Sequence, residues 1–134
     1  MKKKILALLV AVPLCMVLIA MPFSASAAST TIQYGLGNDM CYGTLSNSQS
    51  AYQEPTATAI TRFTGAADHT EAYVSITIRW GADTITRQAE NESSGSSISA
   101  FVNSGYAGGV FASAKGTHYV SAGVGRWGPA NTNL

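Results

Sequence analysis

Between Glu71 and Ala89 apolar and polar residues alternate in the longest clean period-two run of the chain. Ala72, Val74, Ile76, Ile78 and Trp80 fall on one side, and Tyr73, Ser75, Thr77 and Arg79 on the other. That is the pattern of a strand with one face on a core. Burying Val74, Ile76 and Ile78 is worth roughly 1.5–3 kcal/mol each, so the domain interior is expected to form on this face. Gly81-Ala82 is placed for a two-residue type II′ turn. Such a turn sets Ile78 opposite Ile85, Thr77 opposite Thr86 and Arg87 opposite Ile76. Arg87 then leaves the core or snorkels from it.

Weaker alternation marks further strands. Thr58–Thr64 precedes a turn at Gly65–Asp68, and Ser97–Ser104 sets Ile98, Ala100 and Val102 on one face with Phe101 on the other. Residues 91–97, NESSGSS, read as a flexible polar loop, and Gly105–Gly109 as a break. Residues 109–114 and 117–124 read as a hairpin across Lys115-Gly116, with Phe111 beside Val120 and Ala112 beside Tyr119. Residues 125–134 read as a turn-rich tail with Trp127 folded back as a plug. Residues 28–57 are polar and poor in aliphatics, and are expected to be irregular apart from a short strand near Thr31–Tyr34. The sum is an all-β protein: a small antiparallel β-sandwich, or partly open barrel, of about six to seven strands, with the sandwich in residues 58–134.

The N-terminus carries a different signal. Lys2, Lys3 and Lys4 precede an almost wholly apolar run from Ile5 to Phe23, and Ala25-Ser26-Ala27 is a small-residue cleavage pattern. Residues 1–27 are therefore expected to be a cleaved bacterial signal peptide that releases residues 28–134 outside the cell as one domain. An uncleaved anchor is the alternative, with Pro13 inside the run weighing against it. Cys15 follows Leu14, where a lipidation signal carries a small residue.

Cleavage changes the charge. The chain as a whole carries +1, but without the three leader lysines five cations stand against seven carboxylates, a net of −2. Arg62, Arg79, Arg87, Lys115 and Arg126 are scattered, which excludes a phosphate-backbone footprint and hence a nucleic-acid partner. Cys41 alone remains, so the exported domain has no internal disulfide; this thiol is either a buried small hydrophobe or a link between two chains.

Candidate chemistry is sparse. Gly35-Leu36-Gly37 lacks the strand, the helix and the third glycine of a phosphate loop, and Asn91-Glu92-Ser93 is a glycosylation sequon of a kind common by chance. Asp68, His69 and Glu71 place acids beside an imidazole, but no serine lies in a nucleophile elbow, and His69 reads as a solvated turn residue. His118 is expected to be partly buried and bonded to Ser113. One cysteine and two distant histidines show no zinc spacing, and Asp68, Glu71, Asp83, Glu90 and Glu92 show no calcium-loop spacing. The closest carboxylate pair for glycoside hydrolysis, Glu90 and Glu92, falls on the expected loop. No catalytic residue, metal or cofactor is assigned. The candidate binding residues are Tyr73 and Arg79 on the outer face of the main strand, together with Trp127.

An export signal ahead of a Gly-, Ser- and Thr-rich β-domain with a short aromatic tail is similar in architecture to small secreted bacterial β-sandwich proteins, bacteriocin-like ones among them. The expected function is a secreted, non-catalytic module that binds an extracellular protein or glycan. A bacteriocin-like toxin and a small hydrolase using Asp68, His69 and a serine are the alternatives. Dimerisation through edge strands or Cys41 is a further expectation.

Overall fold

The computed structural model describes residues 26–134, so all but the last two residues of the expected signal peptide lie outside it. Eight strands follow one another: β1 (Ser26–Leu36), β2 (Asp39–Gln49), β3 (Thr56–Phe63), β4 (His69–Trp80), β5 (Asp83–Ser93), β6 (Ser97–Asn103), β7 (Val110–Ala122) and β8 (Gly125–Asn133). They form two four-stranded antiparallel sheets, in the orders β1-β2-β3-β6 and β5-β4-β7-β8, packed as an open sandwich and not closed into a barrel. Among the described residues no helix is long and apolar enough to cross a membrane.

The β4–β5 register is as the alternation predicts next to the turn, but Trp80, expected on the core face, is exposed at the strand end. Ile78 pairs with Ile85, Thr77 with Thr86 and Ile76 with Arg87. Gly81 has φ +62°, whereas Ala82 has no positive φ, as a type II′ corner requires. Ala72, Val74, Ile76 and Ile78 are buried and meet Leu45, Ala57, Ala59, Ala100, Val102 and Ala114 in the larger core cluster. Arg87 lies outside it, exposed, with its guanidinium over the Tyr106 ring at 5.6 Å.

Three expected segments fold differently. Residues 28–57 are not irregular: most of them form β1 and β2, paired from Ser26–Gln49 to Leu36–Asp39. The inward set of β2 is Cys41, Gly43, Leu45 and Asn47, which hides the apolar period because the glycine makes room for a ring and Asn47 accepts a bond from the Ala28 amide at 2.8 Å. Lys115-Gly116 is not a turn either. β7 runs straight through it, with Ala114, Gly116, His118, Val120 and Ala122 all inward, so Phe111 and Val120 lie on one strand. A bulge where Thr77 pairs with Ser113 but Ile78 pairs with Phe111 leaves Ala112 as the extra residue.

The tail is strand β8, and Trp127 is buried with Leu36, Cys41, Phe63, Val120 and Ala122 in a second core cluster. The loop expected at residues 91–97 shrinks to a tight turn, because β5 continues to Ser93. Thr70 Oγ1 donates to the Gly95 carbonyl at 2.8 Å, and Ser96 Oγ donates to the Gly65 carbonyl at 2.6 Å, holding that turn. Cys41 is fully buried. Burial, and secondarily the Asp39 charge, raises its thiol pKa, and the folded domain does not present this thiol to a second chain.

Candidate functional site

Sheet β5-β4-β7-β8 turns one face to the core and the other to solvent, and the β4 register decides what gathers on the solvent side. Glu71 pairs with Glu92 on β5 and Tyr119 on β7; Tyr73 pairs with Glu90 on β5 and Thr117 on β7. Directly opposite residues project from the same face, so these two rows form a patch of tyrosine rings and carboxylates. A groove of about 560 Å³ runs over them, walled by Glu71, Tyr73, Glu90, Glu92, Thr117 and Tyr119. Pro129 of β8 closes one side.

The polar groups here are partly oriented. Tyr73 donates its hydroxyl proton to Gln88 Oε1 at 2.8 Å, which fixes the ring edge against β5. Thr117 Oγ1 donates to Asn131 Oδ1 at 3.0 Å. His69 Nε2 lies 2.7 Å from Glu71 Oε1 and 3.8 Å from Glu92 Oε2, at the end of the groove, with its ring tilted 59° to that of Tyr119. Among the described residues no hydrogen bond ties His69 to Asp68 or to a serine, so the parts of a triad do not assemble.

Beneath the groove lies a buried polar network. Thr61 Oγ1 donates to the Glu71 carbonyl at 2.7 Å, so it must accept from His118 Nδ1–H at 3.0 Å. The opposite nitrogen, Nε2, is then bare and accepts the Thr132 hydroxyl at 2.9 Å. His118 is thus bonded to Thr61 and Thr132, not to Ser113, and is fully buried instead of partly so. Burial lowers its pKa from 6.5 to about 4, so the ring is neutral at pH 7. A Cβ on Gly43 would sit 2.5 Å from this ring, and one on Gly116 would sit 2.5 Å from Thr132 Oγ1. Trp127 stacks on the imidazole, with an interplanar angle of 15° and 6.3 Å between centroids.

The three sequence-derived binding residues therefore part company. Tyr73 lines the groove. Arg79 is exposed on the same strand face six residues on, about 20 Å away at the rise of a strand, and does not line it. Trp127, 8% exposed, is core and offers no ring to a ligand. No protein-family model, curated protein or solved structure matches the chain. Function must therefore be argued from the groove itself.

Sequence reasoning passed over Glu71, Glu90, Glu92 and Tyr119 as a group. The signal for three of them was present, since extending the Thr77–Thr86 pairing along the hairpin brings Glu92 beside Glu71 and Glu90 beside Tyr73. Tyr119 was out of reach, because the expected Lys115-Gly116 turn placed it in a separate hairpin.

Proposed function

We propose that this protein is an exported, non-catalytic glycan-binding module whose ligand lies along the groove of sheet β5-β4-β7-β8. The observation that carries this reading is the pairing of Tyr73 and Tyr119 with Glu71, Glu90 and Glu92 around one open groove. Tyrosine rings present flat apolar surface to the C–H face of a pyranose, while carboxylates accept hydrogen bonds from its hydroxyls. The side chains stand on paired strands β5, β4 and β7, so binding does not have to order the backbone that carries them. Export is supported by Lys2–Lys4, the apolar run behind them and Ala25-Ser26-Ala27. The hydrolase alternative draws no support from the placement of His69.

A glycan array probed with purified protein, followed by calorimetry on the best ligand, tests the reading. Tyr73→Ala and Tyr119→Ala are each expected to weaken binding about fivefold, the equivalent of ~1 kcal/mol of lost ring contact. Arg79→Ala should leave affinity unchanged. An array without a hit, or tyrosine variants that bind as well as the parent, would overturn it.

A further inference from the structure

His69 stands two residues from Glu71 along β4, and three metal-ligating side chains meet beside the row Glu92–Glu71–Tyr119. One donor atom from each of His69, Glu71 and Glu92 lies within 4.8 Å of the other two. We infer that these residues form a binding site for a divalent transition-metal ion, zinc being the reference ion. The inference adjoins the groove but does not rest on the glycan reading.

Donor geometry supports it. In a tetrahedral zinc site with bonds near 2.0–2.1 Å, ligand atoms stand about 3.3 Å apart. The His69 nitrogen lies 2.7 Å from one carboxylate and 3.8 Å from the other, so these separations straddle that value. All three donors already lie within 4.8 Å of one another, and both carboxylates are exposed, so side-chain rotation is the adjustment the site requires. Donor chemistry agrees: an imidazole with two carboxylates suits zinc, whereas calcium favours six or more oxygens.

Charge supplies an argument independent of geometry. Glu71 and Glu92 face one another directly across β4 and β5, an arrangement that disfavours folding between like charges. Among the described residues neither forms an ion pair with a lysine or arginine; His69 is the partner of both. A bound cation resolves this repulsion. Three protein ligands also leave a fourth position, which faces the solvent side of the sheet where water or a ligand oxygen can enter.

The test is calorimetric titration of chelator-treated full-length protein with zinc chloride, in the absence of glycan. One site per chain is expected. His69→Ala and Glu71→Gln should each weaken zinc binding about tenfold or more, since even groups one shell further out change affinity 10- to 100-fold. Asp83→Asn, at the far end of the hairpin, should bind zinc as the parent does, and calcium in excess should not compete. Circular dichroism and urea midpoints of the variants establish that they are folded. Absence of zinc binding by the parent, or binding that survives His69→Ala undiminished, would overturn the inference. Zinc binding without any array hit would sink the glycan reading alone, and glycan binding without zinc would sink the metal site alone.

Discussion

His118 occupies the interior without exposed surface, and its neighbours are shaped around it. Gly43 and Gly116 are extended inward positions where a side chain would collide, and the two threonine hydroxyls take both ring nitrogens. This arrangement ties stability to pH. In the native state the ring stays neutral down to about pH 4, while in the unfolded chain it takes up a proton below its ordinary value of 6.5. Between those values the unfolded chain binds more protons. The contribution is therefore complete above pH 6.5 and is lost as pH falls toward 4, by about 3 kcal/mol at ~1.4 kcal/mol per pKa unit. Urea unfolding at pH 7 and at pH 4.5 is expected to show this loss in the parent and a smaller one in His118→Gln, which cannot titrate. Equal losses in the two proteins would contradict a buried neutral imidazole.

At the scale of elements, β8 is the strand whose importance composition conceals. Residues 125–134 are rich in Gly, Asn and Pro, yet β8 pairs with β7 and contributes Trp127 and Thr132 to the interior. Two residues, Gly128 and Pro129, stand against Tyr119 alone where the β7–β8 register shifts, and this bulge lets Trp127 turn inward past it. Trp127→Ala should cost about 3–5 kcal/mol in denaturant unfolding, the range for a large aromatic removed from a core. A tail merely folded against the surface would lose less than ~1 kcal/mol. The β4–β5 hairpin behaves oppositely. Its apolar period, its glycine corner and its register agree with one another, so local pattern alone was enough to place the pairs next to the turn, whereas those from Ala72–Asn91 outward fall in the segment that read as a loop.

At the scale of the whole molecule, two sheets enclose the core, and Cys41, the one cysteine among the described residues, is free and inside it. Cys41 should resist a thiol reagent in native buffer and react fully on unfolding in urea; rapid native labelling would mean that β2 does not sit where described. The edges of the sandwich, β1 and β6 in one sheet and β5 and β8 in the other, are what remains for pairing with another chain. The solvent face of β5-β4-β7-β8 carries the groove, and it is a property of four strands at once.

The all-β class, the two-layer architecture and the β4–β5 register near the turn could be read from the chain, because period-two alternation and turn chemistry act over a few neighbours. Tertiary structure alone decided that a polar N-terminal segment would become β1 and β2, and that Lys115-Gly116 would run straight. It also decided that Tyr119 would reach the row of Glu71 and Glu92. Each of these depends on partners far along the chain: Gly43 is small because His118 arrives from β7, and Gly116 because Thr132 arrives from β8. A glycine chosen for space looks, in sequence, the same as a glycine chosen for a turn.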